Sequence, residues 1–575
     1  MSQQTSTQAK YILTVCLTLI FCVVVFGLWL PRQVRHDTEP QATVADQGLG
    51  TSPEAKKSEL SQELLDYFKH HQLTNQSETD TLTEADLTER FEEISEDYIT
   101  TAEQIIQSRF KSPEALNASA EDFTVPKGLE EQVKFWTHIF GVYTNDHVIF
   151  YHSDDVGVVY SVLDFSQISS EEGGLGAIKN RLISEEGARI KQILSHLDGK
   201  LKREKVKDGS YKTTISQTGL TDEEKRIAKL LASSHMLETL DEKTLLENLA
   251  YRNGFSKRIK SALQASGAYM EEMQRIFRER GLPPELTMIP FIESAFNLEA
   301  YSRAGAAGIW QFIEATGKRY LRIDEYTDER YDPILAAYAA ATHLANEYEF
   351  LGGWALTINA YNTGPGRIQQ AMKQLQTTDI ANIIHSFKGS GYGFDSRNYF
   401  PEFLAMLDVY RNKEYYFGDL KMAEKQEFAY VALPSPMNIK ELARVAGINL
   451  ETFADYNQGL KDEVINGDVL LPKGYLIKIP PTSKDNMLLA MQEQFDSVRY
   501  ASHHVVETGD SLKSIANRYA LPIKQLAQFN GVLSNEDLTP GSIVRLPSRV
   551  DNVELTMDAS HDQMVIPDQV HTPVF

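Results

Sequence analysis

The sequence predicts a multidomain α+β chain with a predominantly helical centre, and three observations lead there. The chain has 575 residues, enough for three or four domains rather than one. Its texture changes along its length: β-type runs near residues 148–163, helical periodicity from about 221 to 407, then short mixed elements. A 20-residue run without a charge, residues 11–30, stands apart at the N-terminus. With 42% hydrophobic residues the composition is that of a folded protein, and wholesale disorder is excluded. Two cysteines cannot make a disulfide framework or a cysteine-based zinc ribbon. A formal charge of −23 argues against nucleic acid as a partner.

The run from Tyr11 to Leu30 has Lys10 before it and Arg32 and Arg35 after it. At about 1.5 Å per residue it reaches roughly 30 Å, one bilayer core. A cleaved signal peptide would have a shorter apolar region and a small-residue cleavage site, and neither is visible around residues 27–33. The run reads as an uncleaved single-pass anchor. The flanking charges do not fix its orientation. Cys16 and Cys22 lie inside it and read as ordinary membrane-helix residues.

Residues 41–130 hold 19 acidic and 7 basic residues, a balance of −12 and more than half of the net charge. This stretch begins with Pro and Gly and then shows helical spacing at Leu60, Leu64, Leu65 and Phe68, so it reads as a linker and acidic helical spacer. Further on, Val148–Tyr151 and Val158–Leu163 read as strands around a turn at Ser153-Asp154-Asp155, and Ile178–Leu197 reads as a helix. Together they predict a small α+β domain that states no chemistry of its own. Thr221 and Glu224 form a capping-box pair ahead of Ile227, Leu230 and Leu231.

Chemistry is concentrated in the helical centre. Pro283-Pro284 opens a helix with Glu293 in its last turn, beside Phe291, Ile292 and Phe296. Apolar neighbours and the negative end of the helix dipole both favour the protonated carboxyl. Such an acid can protonate a glycosidic oxygen near neutral pH. A helix-end glutamate paired with a base such as Arg303 is the plainer alternative. An ordinary glycosidase needs a second carboxylate. The acids nearby in sequence are Glu299, Glu314, Asp324, Asp328, Glu329 and Asp332. Of these, Asp332 stands before Pro333 and has the simpler role of capping an alanine-rich helix that stops at Gly352-Gly353.

Four motifs occur in order: Ile292-Glu293-Ser294-Ala295-Phe296, Gly308-Ile309-Trp310-Gln311-Phe312, Ala360-Tyr361-Asn362 and Arg397-Asn398-Tyr399. In order and spacing they resemble the lytic murein transglycosylases of the lysozyme-like superfamily, most closely the membrane-bound type D family, with Ile309 in place of the usual Leu. The resemblance covers about residues 252–407. It implies a lysozyme-like fold and a lyase that cleaves peptidoglycan between MurNAc and GlcNAc, leaving 1,6-anhydro-MurNAc ends. It implies that Glu293 is the catalytic acid and then base, with Ser294, Gln311, Tyr361, Asn362 and Tyr399 as substrate-binding or orienting residues. Core packing is the competing reading for Trp310 and Tyr361. A hydrolytic muramidase of the same superfamily and a non-catalytic wall-binding scaffold are the alternative functions.

Near the C-terminus, His504-Val505-Val506-Glu507-Thr508-Gly509-Asp510 opens a pattern with helical spacing at Leu512, Ile515, Ala516 and Tyr519, then Asn530-Gly531, and closes at Ile543–Pro547. It resembles a LysM module, a βααβ unit that binds N-acetylglucosamine chains. Residues 438–480 keep that skeleton at Ile439, Leu442, Ala443, Leu450, Phe453, Asn457 and Leu476–Pro480 but lack the Gly-Asp opening; they resemble a degenerate copy, with a plain spacer as the alternative reading.

The expected organisation is therefore a cytoplasmic N-terminus (1–10), a transmembrane anchor (11–30), an acidic linker and spacer (31–130) and a small α+β domain (131–220). A lytic transglycosylase domain (221–425), a degenerate LysM-like segment (426–482), a LysM module (500–548) and a mobile tail (549–575) follow. Because glycan lies outside the cytoplasmic membrane, the resemblance places the chain after residue 30 in the periplasm of a bacterium. The expected partners are peptidoglycan strands and the inner membrane. No metal or cofactor is expected: His70-His71 and His503-His504 lack metal-ligand spacing and read as solvated loops.

Overall fold

The computed structural model describes residues 102–110, 123–167, 175–205, 211–234, 237, 245–467, 469–491, 503–519, 523–530 and 538–546. The anchor at residues 11–30, most of the acidic spacer, His70-His71 and the tail lie outside them. Among the described residues no helix is long and apolar enough to cross a membrane. The chain divides into two compact units, and the functional residues predicted around Glu293 fall in the first, which includes residues 110–323 and 328–426.

The first unit begins with helix α1 (Glu130–Gly141) and a sheet of β1 (His147–His152), β2 (Asp155–Asp164) and β5 (Leu249–Asn253) in the antiparallel order β2-β1-β5. The turn at Ser153-Asp154 joins β1 to β2 as the sequence predicts. The third strand comes from beyond residue 220, so the sheet draws on chain outside the range expected for the small domain. Central β1 is buried on both faces from Val148 onward. Val148 and Phe150 face a core with Ile190, Leu194, Ile227 and Leu231, whereas Tyr151 packs on Phe135 of α1, the alternation that strand geometry imposes. Helix α2 (Leu175–Asp198), the hairpin β3 (Leu201–Lys205) and β4 (Tyr211–Ile215), and α3 (Asp222–Ser233) complete this part. Thr221 and Glu224 make the predicted reciprocal capping box at the start of α3.

Helices then dominate: α4 (Ser256–Ser266), α5 (Met270–Glu279), α6 (Ile289–Ser294), α7 (Pro333–Leu351), α8 (Trp354–Thr363), α9 (Pro365–Leu375), α10 (Ile380–Ser386) and α11 (Phe394–Arg411). Asp332 caps α7 by accepting from the backbone N–H groups of Ile334 and Leu335, and Gly352 ends it in the left-handed conformation, as predicted. Alanines 336, 337, 339, 340 and 341 are all buried, so α7 runs through the core with small side chains that let its neighbours approach closely. Helix α11 packs on both α1 and α8. Trp136 of α1 donates its indole N–H to Asn398 Oδ1 on α11 at 2.9 Å, a buried bond that ties the sheet's helix to the second turn of α11.

In the second unit, β6 (Ala429–Ala432), α12 (Ile439–Val445), α13 (Leu450–Tyr456) and β7 (Leu476–Ile479) follow in order, and β6 pairs antiparallel with β7. Further along, β8 (His503–Val505), α14 (Leu512–Arg518), α15 (Ile523–Asn530) and β9 (Ile543–Arg545) share this β-α-α-β order, to which the earlier segment adds a one-turn helix, Asp462–Ile465, before β7; the pairing is again antiparallel. One detail recurs in both. Asn457 donates to the Lys478 carbonyl at 2.7 Å and accepts from the Lys478 N–H at 2.8 Å. Asn530 does the same with Arg545, at 2.8 and 2.7 Å. In each, an asparagine beside the second helix clamps the closing strand.

His503-His504 is not the solvated loop that the sequence leads one to expect. The pair lies on β8, whose alternation turns His504 inward. There its ring nitrogens meet the Tyr519 hydroxyl at 3.0 Å and the Asp510 carboxylate at 2.8 Å.

Candidate active site

Glu293 sits at the end of a short, broken helical segment. Pro283 and Pro284 lead into a 3-10 turn, Pro284–Met288, and α6 adds little more than one α-helical turn. The predicted single helix is thus two pieces. Its end is enforced by two residues with positive φ, Ala295 (50°) and Phe296 (56°). Left-handed backbone costs a non-glycine residue roughly 1–2 kcal/mol. Here Ser294 helps hold it: its hydroxyl is within 3.0 Å of the Pro290 carbonyl and 3.1 Å of the Ile309 carbonyl, and it accepts from the Asn297 N–H at 3.2 Å. Ser294 is buried, and these backbone groups are the partners of its hydroxyl.

The Glu293 side chain is half-buried. Tyr399, from buried positions of α11, donates its hydroxyl to Glu293 Oε1 at 2.5 Å. Loss of hydration raises the Glu293 carboxyl to about 7, against the opposing effect of the Tyr399 hydrogen bond, which favours the carboxylate. Burial and the nearby Glu293 carboxylate push the Tyr399 phenol well above its ordinary range, so it remains a donor. The competing reading, an ion pair with a base, does not describe this site: the residue in hydrogen-bonding contact is a neutral phenol.

The loop from Ala300 to Phe312 forms the neighbouring wall. Gly308 has φ +71°, and a Cβ there would stand 1.8 Å from the Arg330 carbonyl oxygen, so only glycine fits. The buried Arg330 guanidinium pairs with Asp328 and donates to the Gly305 and Phe312 carbonyls at 2.7 and 3.0 Å, stapling the loop from beneath. Gln311 takes φ 51°, and its amide donates to the Gly308 carbonyl at 2.8 Å and the Ala300 carbonyl at 3.3 Å. Trp310 is fully buried and stacked on Phe277 with ring centres 5.7 Å apart, as the core-packing reading has it.

Tyr361 and Asn362 end α8. The Tyr361 hydroxyl donates to the Trp310 carbonyl at 2.8 Å, joining α8 to the Gln311 loop. Glu293 acts electrostatically on Tyr361, so the two share one neighbourhood. Asn362 is exposed, and its Oδ1 accepts weakly from Ser396 at 3.4 Å. Glu293 and Tyr399 are thus brought together directly, with Tyr361 within electrostatic reach of both. Gln311 joins them through the Trp310 backbone, and Asn362 through α8. Ser294 shapes the turn beneath.

Sequence reasoning missed Glu402, Asp395 and Arg252. Glu402 follows Tyr399 by one turn of α11 and lies within electrostatic reach of Glu293. Burial, Asp395 and Glu293 raise its carboxyl to about 8 against the opposing charge of Arg252. Only the helical spacing of Asp395, Tyr399 and Glu402 could have signalled it. Among the described residues no group of three or more His, Cys, Asp or Glu side chains could hold a metal ion.

The chain carries two recognised domains. Residues 270–384 match the transglycosylase SLT domain family and residues 504–547 match the LysM domain family. Among individual proteins, it is 32% identical over 284 residues to membrane-bound lytic murein transglycosylase D of Escherichia coli (strain K12), covering 48% of this chain and 62% of that protein. The chain therefore spans somewhat less than two thirds of that relative. A putative tributyltin chloride resistance protein of Alteromonas sp. (strain M-1) is 37% identical over 100 residues, 17% of this chain and 48% of that protein. Among solved structures, the 70 kDa soluble lytic transglycosylase of Escherichia coli aligns over 65% of this chain and 64% of its own, at 16% identity and a TM-score of 0.23.

Proposed function

We propose that the protein is a peptidoglycan lytic transglycosylase that cleaves the β-1,4 bond between MurNAc and GlcNAc without water. The observation that carries this reading is the Glu293 carboxyl, raised to about 7 and held by Tyr399 in the domain that matches the transglycosylase family. In the first half of the reaction Glu293 gives its proton to the bridging oxygen as the C1–O bond breaks, and GlcNAc leaves with a free 4-hydroxyl. In the second half the Glu293 carboxylate takes the proton of the MurNAc C6 hydroxyl while that oxygen bonds to C1. The product is a 1,6-anhydro ring, Glu293 is protonated again, and no water is consumed. Intramolecular attack avoids the entropic cost of recruiting a second molecule.

The hydrolytic alternative needs a second, ionised carboxylate beside the acid. Glu402 acts electrostatically on this neighbourhood, but at about 8 it is mostly protonated near neutral pH. It is a poor nucleophile or base there, which favours the one-carboxylate route.

The LysM domain supplies glycan affinity and raises the local substrate concentration. Residues 427–480 act as a second module of the same kind, a reading supported by the shared element order and asparagine clamp. The uncharged run at residues 11–30 anchors the chain in the bacterial inner membrane, with the enzyme facing the periplasm. Ser294 supports the acid's turn, and Gln311, Tyr361 and Asn362 line the glycan site. Incubating purified peptidoglycan with the protein and with Glu293→Gln, then weighing the released fragments, tests this. Anhydro ends from the parent and none from the variant support it; reducing ends alone, or equal release by both, refute it.

A further inference from the structure

Tyr399, which holds the acid, stands on α11, and α11 starts at Phe394, beyond the matched transglycosylase segment 270–384. Successive residues of a helix point about 100° apart, and three in a row on α11 reach three different elements. Arg397 donates to Asp154 Oδ1 in the β1–β2 turn at 3.1 Å. Asn398 Oδ1 accepts from the Trp136 indole N–H of α1 at 2.9 Å. Tyr399 donates to Glu293 of α6. The Asn398 amide also donates to the Phe394 carbonyl one turn back at 2.8 Å, so both its oxygen and its nitrogen are engaged. Trp136 is held as firmly. Its ring is buried, meets Phe135 and Phe394 edge-on, and lies under the Arg252 guanidinium of β5 at 4.2 Å. Phe394, the first residue of α11, packs on Tyr151 of β1 as well. Asn359 of α8 adds a bond to the Ser396 carbonyl at 2.7 Å. The first two turns of α11 are thus seated on α1, β1 and the β1–β2 turn, which belong to the small α+β part that states no chemistry of its own.

We propose that Trp136 is a positioning residue of the active site: its bond to Asn398 fixes the turn of α11 that carries Tyr399, and through that turn the small α+β part sets the hold on Glu293. This rests on the reading of Glu293 as the proton-transferring acid. A hydrogen bond weakens steeply as it bends or lengthens, and a working group has to be held to within about 0.5 Å. Asn398 and Tyr399 are adjacent on one helical turn, so a displacement of the first carries the second with it. The indole bond is the stronger tether, because without it the Asn398 oxygen loses that partner in a buried place. The Arg397–Asp154 pair is partly exposed and contributes less. Loosening the turn weakens a hydrogen bond that favours the Glu293 carboxylate, and the proton affinity of Glu293 then rises. The other titratable groups within electrostatic reach of Glu293 are Tyr361 of α8 and Glu402 of α11, and Arg258 of α4 reaches the adjoining Ser294 carbonyl at 3.5 Å.

Two measurements on the full chain test this with Trp136→Phe, which keeps an aromatic ring but not the N–H. The first is an NMR titration of the Glu293 carboxyl carbon, assigned by its loss in Glu293→Gln, and it does not depend on activity. Trp136→Phe is expected to raise the midpoint from about 7 by a few tenths of a pH unit, and to add nothing in the Tyr399→Phe background. Val148→Ala, in the core on the opposite face of β1, is expected to lower the melting temperature and leave the midpoint in place. An unmoved midpoint in Trp136→Phe, the same shift with Tyr399→Phe already present, or the same shift in Val148→Ala overturns the proposal. The second measurement is turnover on purified peptidoglycan. Trp136→Phe is expected to lower kcat by roughly threefold to tenfold with KM little changed, and a change confined to KM overturns the proposal. Should Trp136→Phe fail to fold, Asp154→Ala at the partly exposed pair takes its place in the titration, with a smaller shift of the same sign expected and no shift overturning the proposal. If Glu293→Gln remains active, the catalytic reading fails, and the titration still decides whether Trp136 acts on the contact between Tyr399 and Glu293.

Discussion

The Tyr399 hydroxyl donates to Glu293 Oε1 at 2.5 Å across 106 residues of sequence. That contact joins the end of α6 to the second turn of α11. It fixes one carboxylate oxygen of a half-buried acid whose partial loss of hydration raises its proton affinity.

Replacing Tyr399 by Phe removes a hydrogen bond that favours the ionised form of Glu293. The Glu293 value therefore rises, and the alkaline limb of the pH–rate profile moves up by about one pH unit, from near pH 7. Loss of orientation lowers kcat by roughly ten- to a hundredfold. A profile at the parent's position would show that Tyr399 does not touch the working acid.

Glu293→Gln should gain stability as it loses activity. The native carboxyl at about 7 binds its proton more tightly than the ordinary value of 4.5. Between these values the native state holds more protons than the unfolded state, so the parent loses stability as pH rises through this window, and the loss is complete above it. Each tenfold difference in proton affinity between the two states is worth about 1.36 kcal/mol, so the amide variant is more stable by at most about 3 kcal/mol at roughly pH 8. Below about pH 4 the difference vanishes. Thermal unfolding at the two pH values measures it, and equal melting temperatures under the alkaline condition would contradict the desolvation of Glu293.

Gly308→Ala places a methyl group 1.8 Å from the Arg330 carbonyl and asks alanine for φ +71°. The loop carrying Gln311 must move away from Arg330. We expect a loss of about 3 kcal/mol or more in stability, together with most of the activity. Denaturant unfolding and turnover on peptidoglycan check this, and a variant with parental values would refute the tight packing.

Asn457→Ala and Asn530→Ala each break a two-way bond to a closing strand. Asn457 is buried, so its loss leaves strand groups unpaired at a cost of about 2–3 kcal/mol. Asn530 is less enclosed and should cost about 1–2 kcal/mol. If both modules hold glycan, each variant weakens sedimentation of the protein with insoluble peptidoglycan. Unchanged sedimentation of the Asn457 variant would make residues 427–480 a spacer instead.

Features set by neighbouring residues were legible in the sequence. The Thr221–Glu224 capping box, Asp332 ahead of Pro333, and the stop at Gly352 are local devices, and the structure forms all three. Glu293 was legible because its motif is contiguous. Long-range pairings were not. Nothing near Trp136 announces Asn398, and the covering of Arg252 by the Trp136 ring depends on a strand that joins its sheet only after a long excursion of chain. Glu402 escaped notice because a glutamate on a helix is ordinarily solvated, and only the packing of α11 against α1, α6 and α8 takes it partly out of water. Ser294 shows the converse: its place in the motif suggested a role toward the sugar or the acid, yet its hydroxyl spends its bonds on the backbone that turns the chain after Glu293.

The most direct test of the central claim is mass analysis of the fragments released from purified peptidoglycan in heavy-oxygen water. A lone acid working with the sugar's own hydroxyl predicts fragments ending in 1,6-anhydro-MurNAc with no label incorporated at the new end. Fragments that carry heavy oxygen at C1 would mean that water was the nucleophile, and the one-carboxyl account of Glu293 would fall.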